Sequence, residues 1–311
     1  MKEMVLETAH LTKIYKKQEV LKDFSVSLEK GHIYGLIGPN GAGKTTFLKI
    51  LAGLTTPTTG TLRFFGEADR LQEQRSRMGF LVEAPFLEGN MTAYENMYLQ
   101  RLIKGVADTK RITEVLELVG LSDTGRKKAK NFSLGMRQRL GIGMALLSDP
   151  ELLVLDEPVN GLDPEGIVHI RNLLLKLNHE QRMTMIISSH ILSELNLLAT
   201  DYIFLKNGQM LGQLSADELE QHSRSYLELQ TGDASKTAVI LEKVLGFTDY
   251  QVQEDQRIHL YEGIDAPGRI SQALFQENIP VLGLNLVHAN LEDYYMTLMG
   301  EQPEGSERRT D

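Results

Sequence analysis

The chain has 311 residues, 41% of them hydrophobic and 24% charged, a composition of globular rather than disordered protein with room for one large domain or for one medium and one small domain. It contains no cysteine, which excludes disulfides and thiolate-bound metal. A formal net charge of −9 disfavours binding along a nucleic-acid backbone, which needs clustered Lys and Arg.

The basic run Arg126-Lys127-Lys128 with Lys130 reads as a solvated loop. The N-terminal segment lacks the apolar core of a signal peptide, and no apolar stretch approaches the roughly 20 residues that span a bilayer. Any work at a membrane therefore calls for a separate membrane partner.

Short apolar runs at 5–8, 20–28 and 33–37 predict strands. The third ends in a glycine-rich turn, followed by a helix over 45–52 with Phe47, Leu48, Ile50 and Leu51 apolar. A further strand pair is expected near 61–65 and 78–82. From 92 to about 122 the period is helical, with one stripe through Tyr94, Met97, Tyr98, Leu102 and Ile103 and a second through Ile112, Val115, Leu116 and Val119. Residues 152–155 form a wholly apolar run before two acids, as a strand buried in a parallel sheet does. Residues 185–188 repeat that character before a helix from about 191. Runs at 202–205 and 209–214 flank an Asn207-Gly208 turn and predict a hairpin.

After about 220 the pattern is strand 226–230, helix 234–245, strands 250–253 and 257–261, helix 268–278, strand 281–287 and helix 291–299. That order, β-α-β-β-α-β, is the one found in ferredoxin-like split units. No cluster of His, Asp and Glu at metal spacing occurs here, and His259 and His288 read as packing within apolar strands. The polar tail, 301–311, is expected to be disordered.

Gly38, Pro39, Asn40, Gly41, Ala42, Gly43, Lys44 and Thr45 fit the spacing of a phosphate-binding loop, Gly, four residues, then Gly-Lys-Ser/Thr, with Thr46 continuing into the helix. Glycines let successive N–H groups turn toward phosphate oxygens, and the helix behind adds the positive end of its dipole. Lys44 is placed to reach the β- and γ-phosphates, and the Thr45 hydroxyl to ligate Mg2+. Asp156 and Glu157 close the apolar strand at 152–155. Two adjacent acids at a buried strand end are costly without a cation, so Asp156 is read as a magnesium ligand and Glu157 as the group that orients the attacking water.

Ser133-Leu134-Gly135-Met136-Arg137-Gln138-Arg139-Leu140 resembles the signature motif of ABC ATPases in its short bacterial form. Gly161-Leu162-Asp163-Pro164 resembles the D-loop of that family, His190 its switch histidine, and Tyr15 its adenine-stacking aromatic ring. The resemblance covers residues 1 to about 217 in the family's order. It implies an α/β fold: a P-loop, ABC-type nucleotide-binding domain over 1–217 with a mixed sheet core and a helical subdomain at about 85–145. A small α+β ferredoxin-like domain over 218–300 would follow. It also implies ATP and Mg2+ as cofactors, and a head-to-tail dimer with a second copy or a homologous ATPase subunit. Each ATP would then lie between Gly38 to Thr45 of one subunit and Ser133, with Gly135, of the other, and Asp163 would belong to the nucleotide-binding residues. Separate integral membrane permease subunits would hold the chain at the cytoplasmic face of the cell membrane.

Where the family usually carries Gln, this chain has Glu83, a harder and anionic oxygen donor expected to ligate the metal. With the short signature, that glutamate is similar to the ATPases of bacitracin-resistance and lantibiotic-immunity exporters, implying export of an antimicrobial peptide or antibiotic. The alternative is a soluble ABC ATPase acting on ribosomes or nucleic acid. Only 89 positions separate Lys44 from Ser133, with no sustained heptads and one set of motifs, and the acidic balance argues the same way. No nucleic-acid partner is expected.

Overall fold

The computed structural model describes residues 3–222, 225–253, 255–287 and 291–299; the tail 301–311 and His288 lie outside these. The chain divides into two compact units, Met1–Ala216 and Asp217–Asp311.

The first unit opens with a long hairpin, β1 (Met4–Tyr15) and β2 (Gln18–Glu29), then β3 (Ile33–Ile37), α1 (Lys44–Leu51) and β4 (Thr59–Phe64). After α2 (Leu71–Arg75) and β5 (Met78–Leu81) come three helices, α3 (Ala93–Lys104), α4 (Lys110–Leu118) and α5 (Leu134–Leu146). The chain returns through β6 (Leu152–Asp156), α6 (Pro164–Gln181), β7 (Thr184–Ser189) and α7 (Leu192–Asn196) to the hairpin β8 (Asp201–Lys206) and β9 (Gln209–Ser215).

Six strands form one sheet in the order β5-β6-β7-β3-β8-β9, parallel except for β9. Every residue of β3, β6 and β7 is buried, the pattern of strands covered on both faces. Their shared direction collects the loops after β3, β6 and β7 at one sheet edge, where open α/β sheets bind ligands.

A separate antiparallel sheet has the order β2-β1-β4. The strand pair expected at 61–65 and 78–82 is thus corrected: β4 pairs with β1, and β5 with β6. Burial accounts for the separation. Leu62 and Phe64 are buried between exposed neighbours, as in a half-covered antiparallel strand, whereas β5 is buried at three of its four positions. The first strand is also far longer than 5–8, because register shifts and a left-handed His10 (φ 53°) interrupt its alternation without ending it. Phe24 of β2 lies on Phe47 of α1, ring centroids 4.6 Å apart, joining the antiparallel sheet to the helix behind the glycine loop.

In the second unit, α8 (Ala216–His222), which begins at the boundary, precedes β10 (Tyr226–Thr231) and α9 (Ala234–Ile240). The helix continues as a π-turn over Leu241–Leu245, before β11 (Tyr250–Val252) and β12 (Ile258–Leu260). Then come α10 (Pro267–Gln276), β13 (Val281–Val287) and α11 (Leu291–Met299). The sheet order is β11-β12-β10-β13 with every pair antiparallel. Leu227 and Leu229 of β10 and Ile258 and Leu260 of β12 pack with Ile270 and Leu274 of α10 in a core of its own.

A charge is part-buried between α3 and α5. The Lys104 ammonium, at the end of α3, donates to the Ala145 carbonyl (3.3 Å) and the Ser148 hydroxyl (3.0 Å) at the end of α5. Burial pulls its pKa down to about 8. Between that value and the ordinary lysine range the unfolded chain binds the extra proton, so this group adds stability as pH rises from about 8 toward 10. Lys104→Met removes that gain. In thermal melts, the variant's Tm relative to the parent should therefore fall progressively between pH 7 and 10; a constant difference would contradict the burial.

Candidate nucleotide site

The loop between β3 and α1 wraps a cleft of ≈ 400 Å³ lined by Pro39 through Thr46, Val20, Glu157, Asn160 and His190. Gly43 begins the helix at φ 109°, and a Cβ there would stand 2.8 Å from the Val20 carbonyl oxygen, so the turn admits no side chain. Gly208, in the β8–β9 turn, donates to the Ala42 carbonyl (2.9 Å) and accepts from the Lys22 amide (2.8 Å), tying the loop to both sheets. Lys44 is buried, its ammonium held by the carbonyls of Gly38 (2.6 Å) and Pro39 (3.4 Å) and 3.8 Å from a Glu157 carboxylate oxygen. The amine is thus pinned along the loop and directed at the cleft.

On the opposite wall, one hydroxyl organises both acids. Ser188, fully buried at the end of β7, donates to Asp156 Oδ1 (2.6 Å) and accepts from the Glu157 amide (2.9 Å). A serine hydroxyl has one proton to give and lone pairs to receive, so it fixes the Asp156 carboxylate and the Glu157 backbone together. The second contact matters because Glu157 sits at φ 49°, a left-handed conformation that costs a non-glycine residue about 1 kcal/mol or more. Glu157 Oε2 then meets His190 Nδ1 at 2.7 Å, and its other carboxylate oxygen faces Lys44.

Hard oxygen donors are present for a magnesium ion: the Thr45 hydroxyl and the Asp156 carboxylate. Among the described residues no group of three or more acidic or histidine side chains could hold a metal alone. That fits Mg2+, which takes one or two protein ligands and completes its shell with phosphate oxygens and water.

The remaining residues singled out from sequence lie elsewhere. Tyr15 is half-exposed at the tip of the β1–β2 hairpin with the Lys13 ammonium over its ring, while Val20 of the same hairpin lines the cleft. Ser133 caps α5 by accepting from the Met136 amide (3.2 Å), and Asp163 caps α6 by accepting from Gly166 (3.1 Å). Neither Ser133, Gly135 nor Asp163 lines the cleft of its own subunit. Glu83 follows β5 at the same sheet edge as Asp156, but its carboxylate is bound to Lys49 (2.6 Å) and largely exposed. Sequence reasoning missed Val20, Asn160 and Ser188 as site residues. No local pattern singles them out; Ser188 stands apart only once β7 is paired with β6.

Ser188→Ala should lower kcat for ATP about 10- to 100-fold, since a hydrogen bond to a charged group contributes about 1.5–3 kcal/mol, and leave nucleotide affinity within a few-fold. Steady-state hydrolysis and equilibrium nucleotide binding check this; an unchanged kcat would show that the hydroxyl does not organise the acids.

A family model described as ABC transporter matches residues 21–160. The chain is 40% identical over 298 residues to the bacitracin transport ATP-binding protein BcrA of Bacillus licheniformis, covering 95% of this chain and 97% of that one. It is 41% identical over 216 residues to the lantibiotic transport ATP-binding protein SrtF of Streptococcus pyogenes, 70% of this chain and 93% of that one. Among solved structures, the dimeric post-hydrolysis state of the ATP-binding cassette MJ0796 bound to ADP and Pi is similar with a TM-score of 0.61 at 27% identity, over 68% of this chain and 98% of that one. With a relative matched along nearly its whole length and this cleft at its centre, the chain belongs to the ATP-binding subunits of ABC transporters, which bind ATP with Mg2+ and hydrolyse it.

Proposed function

We propose that this protein is the motor of an exporter for an antimicrobial peptide or antibiotic, working at the cytoplasmic face of the cell membrane through separate permease subunits. The observation that carries the dimeric part of this reading is the incomplete cleft: loop, Glu157 and His190 line it in one subunit, with Asp156 behind on Ser188, while Ser133, Gly135 and Asp163 do not join them. A second copy packed head to tail would bring those three against the γ-phosphate side, with the positive end of α5 facing the anion. The cargo class rests on the similarity to BcrA and SrtF. The soluble alternative acting on ribosomes or nucleic acid is not favoured.

The residues divide the work as follows. Gly38 to Thr46 cradle the phosphates through backbone N–H groups, and Lys44 stays aligned by its two carbonyl contacts. Thr45 and Asp156 would hold Mg2+, which neutralises charge on the transferred phosphoryl group when bound. Glu157 orients and polarises the attacking water, and His190, hydrogen-bonded to it, keeps its carboxylate turned inward. Tyr15 would stack on the adenine. The four-stranded domain after residue 217 is proposed as a ferredoxin-like accessory module.

A second depression, ≈ 420 Å³, runs between the segment after β5, helix α3 and the last turns of α5. Leu54, Phe86 and Ile103 stand at its rim more than half exposed, an apolar surface that fits the cytoplasmic helix of a permease. Gly141 of α5 sits where a Cβ would be 2.6 Å from Pro85, so the segment carrying Glu83 rests directly on the helix that begins at the signature motif. We infer that Glu83 exchanges Lys49 for the metal when nucleotide binds, linking groove and cleft.

Two outcomes are expected. Ile103→Asp should abolish co-purification of the permease from gently solubilised membranes while leaving ATP binding intact; recovery of the parent protein with ribosomes and no membrane protein would contradict the transporter reading. Glu83→Gln should change the relative support of hydrolysis by Mg2+ and Mn2+ and weaken its coupling to transport. If both are unchanged, Glu83 is no more than the partner of Lys49.

A further inference from the structure

The accessory domain leaves one sheet edge open. β13 is an outer strand, hydrogen-bonded to β10 on one side, and among the described residues no strand pairs with its other side. Exposed edges in natural proteins are guarded by charge, proline or brevity. The opposite edge follows that rule, since β11 has three residues. β13 does not: its sequence, Val-Leu-Gly-Leu-Asn-Leu-Val, contains no charged residue and no proline. Leu282 is 66% exposed and Leu286 45%.

The strand has the symmetry to pair with itself. Its register with β10 shifts between Gly283 and Val281, so the regular ladder covers 283–287, whose midpoint is Asn285. Antiparallel pairing of two such ladders about a two-fold axis at Asn285 sets Gly283 opposite Val287 of the second copy and Leu284 opposite Leu286. Asn285 then meets its own counterpart, as an isologous interface requires. Leu284 and Leu286 lie opposite Leu229 and Leu227 of β10 and share their face of the sheet, so four leucines would meet across the axis. The two exposed Asn285 amides, each both donor and acceptor, would meet on the other face.

We propose that the accessory domains of two subunits join edge to edge through β13 into one continuous antiparallel sheet, with a second copy of this chain as the occupant. Among the described residues no strand takes up the outward side of this edge, and a charge-free strand presents no repulsion to its own copy. The pairing involves no residue of the nucleotide cleft, so it holds the subunits together when no nucleotide is bound. Each clasping of ATP would then begin as an intramolecular event at high effective concentration.

The chain has no native cysteine, so single cysteines report this contact cleanly. The test uses the full-length protein freed of nucleotide, oxidised mildly and analysed on a non-reducing gel with mass spectrometry of the linked peptides. Asn285→Cys should give a disulfide-linked dimer about tenfold faster than Leu282→Cys, because residue 285 faces itself across the axis whereas the two residues 282 lie about 20 Å apart along the strands. Leu286→Lys, a change at an exposed position, should shift the nucleotide-free protein from dimer to monomer in sedimentation velocity, with an unchanged melting profile and unchanged ATP binding. A parent protein that sediments as a monomer without nucleotide overturns the proposal. So does equal or faster linkage through residue 282, or a Leu286→Lys protein that remains dimeric.

Discussion

The site depends on the parallel register of three buried strands. Ile37 lies beside Ser189, and Ser188 beside Asp156, so β3, β7 and β6 end level with one another. Asp156 closes β6, and the phosphate loop, Glu157 and His190 begin directly beyond the three strand ends. Hydrogen bonding along a buried sheet cannot slip by one residue without turning apolar side chains the wrong way, and that rigidity sets the positions of the catalytic groups. The Ser188 hydroxyl then converts strand alignment into side-chain alignment, holding Asp156 and the left-handed backbone of Glu157 at once.

What this frame does not supply is closure. The anion-binding loop and the water-orienting acid line two walls of the cleft, and Ser133 at the N-terminus of α5 is not among the residues that line it. Separating these parts makes hydrolysis conditional on a second subunit. The same α5 helix carries Gly141 against Pro85 at the apolar groove, so a force applied at the groove bears on the element that starts with Ser133. The groove and the helix that starts beside Ser133 thus share a direct packing contact, Pro85 against Gly141.

Much of this was readable from residue order, for identifiable reasons. The apolar runs 152–155 of β6 and 185–187 of β7 have the pattern of buried parallel strands, and Asn207-Gly208 supplied the two positive φ angles (51° and 82°) that a tight hairpin needs. The glycine loop was legible because its spacing is dictated by phosphate geometry. Other features depended on neighbours distant in sequence. β4 and β5 read alike as short strands, and only burial assigns them to different sheets. The hydroxyl of Ser188 looks like any polar strand end until β6 is laid beside it. Glu83 pairs with Lys49, 34 positions earlier, a contact no local pattern announces. Helix α8 was missed because Leu219 is the one aliphatic side chain beyond alanine in Ala216–His222, too little for a stripe.

The central claim is that a working site is built from two chains, and mixing two inactive variants tests it most directly. Lys44→Ala disables the loop and Ser133→Arg blocks the signature, so each protein alone should hydrolyse ATP at well under a tenth of the parent rate. Mixed subunits would form heterodimers in which the intact loop of one faces the intact signature of the other, and activity should return in proportion to their abundance. A mixture no more active than its components, or a Ser133→Arg protein that hydrolyses ATP unaided, would contradict the account.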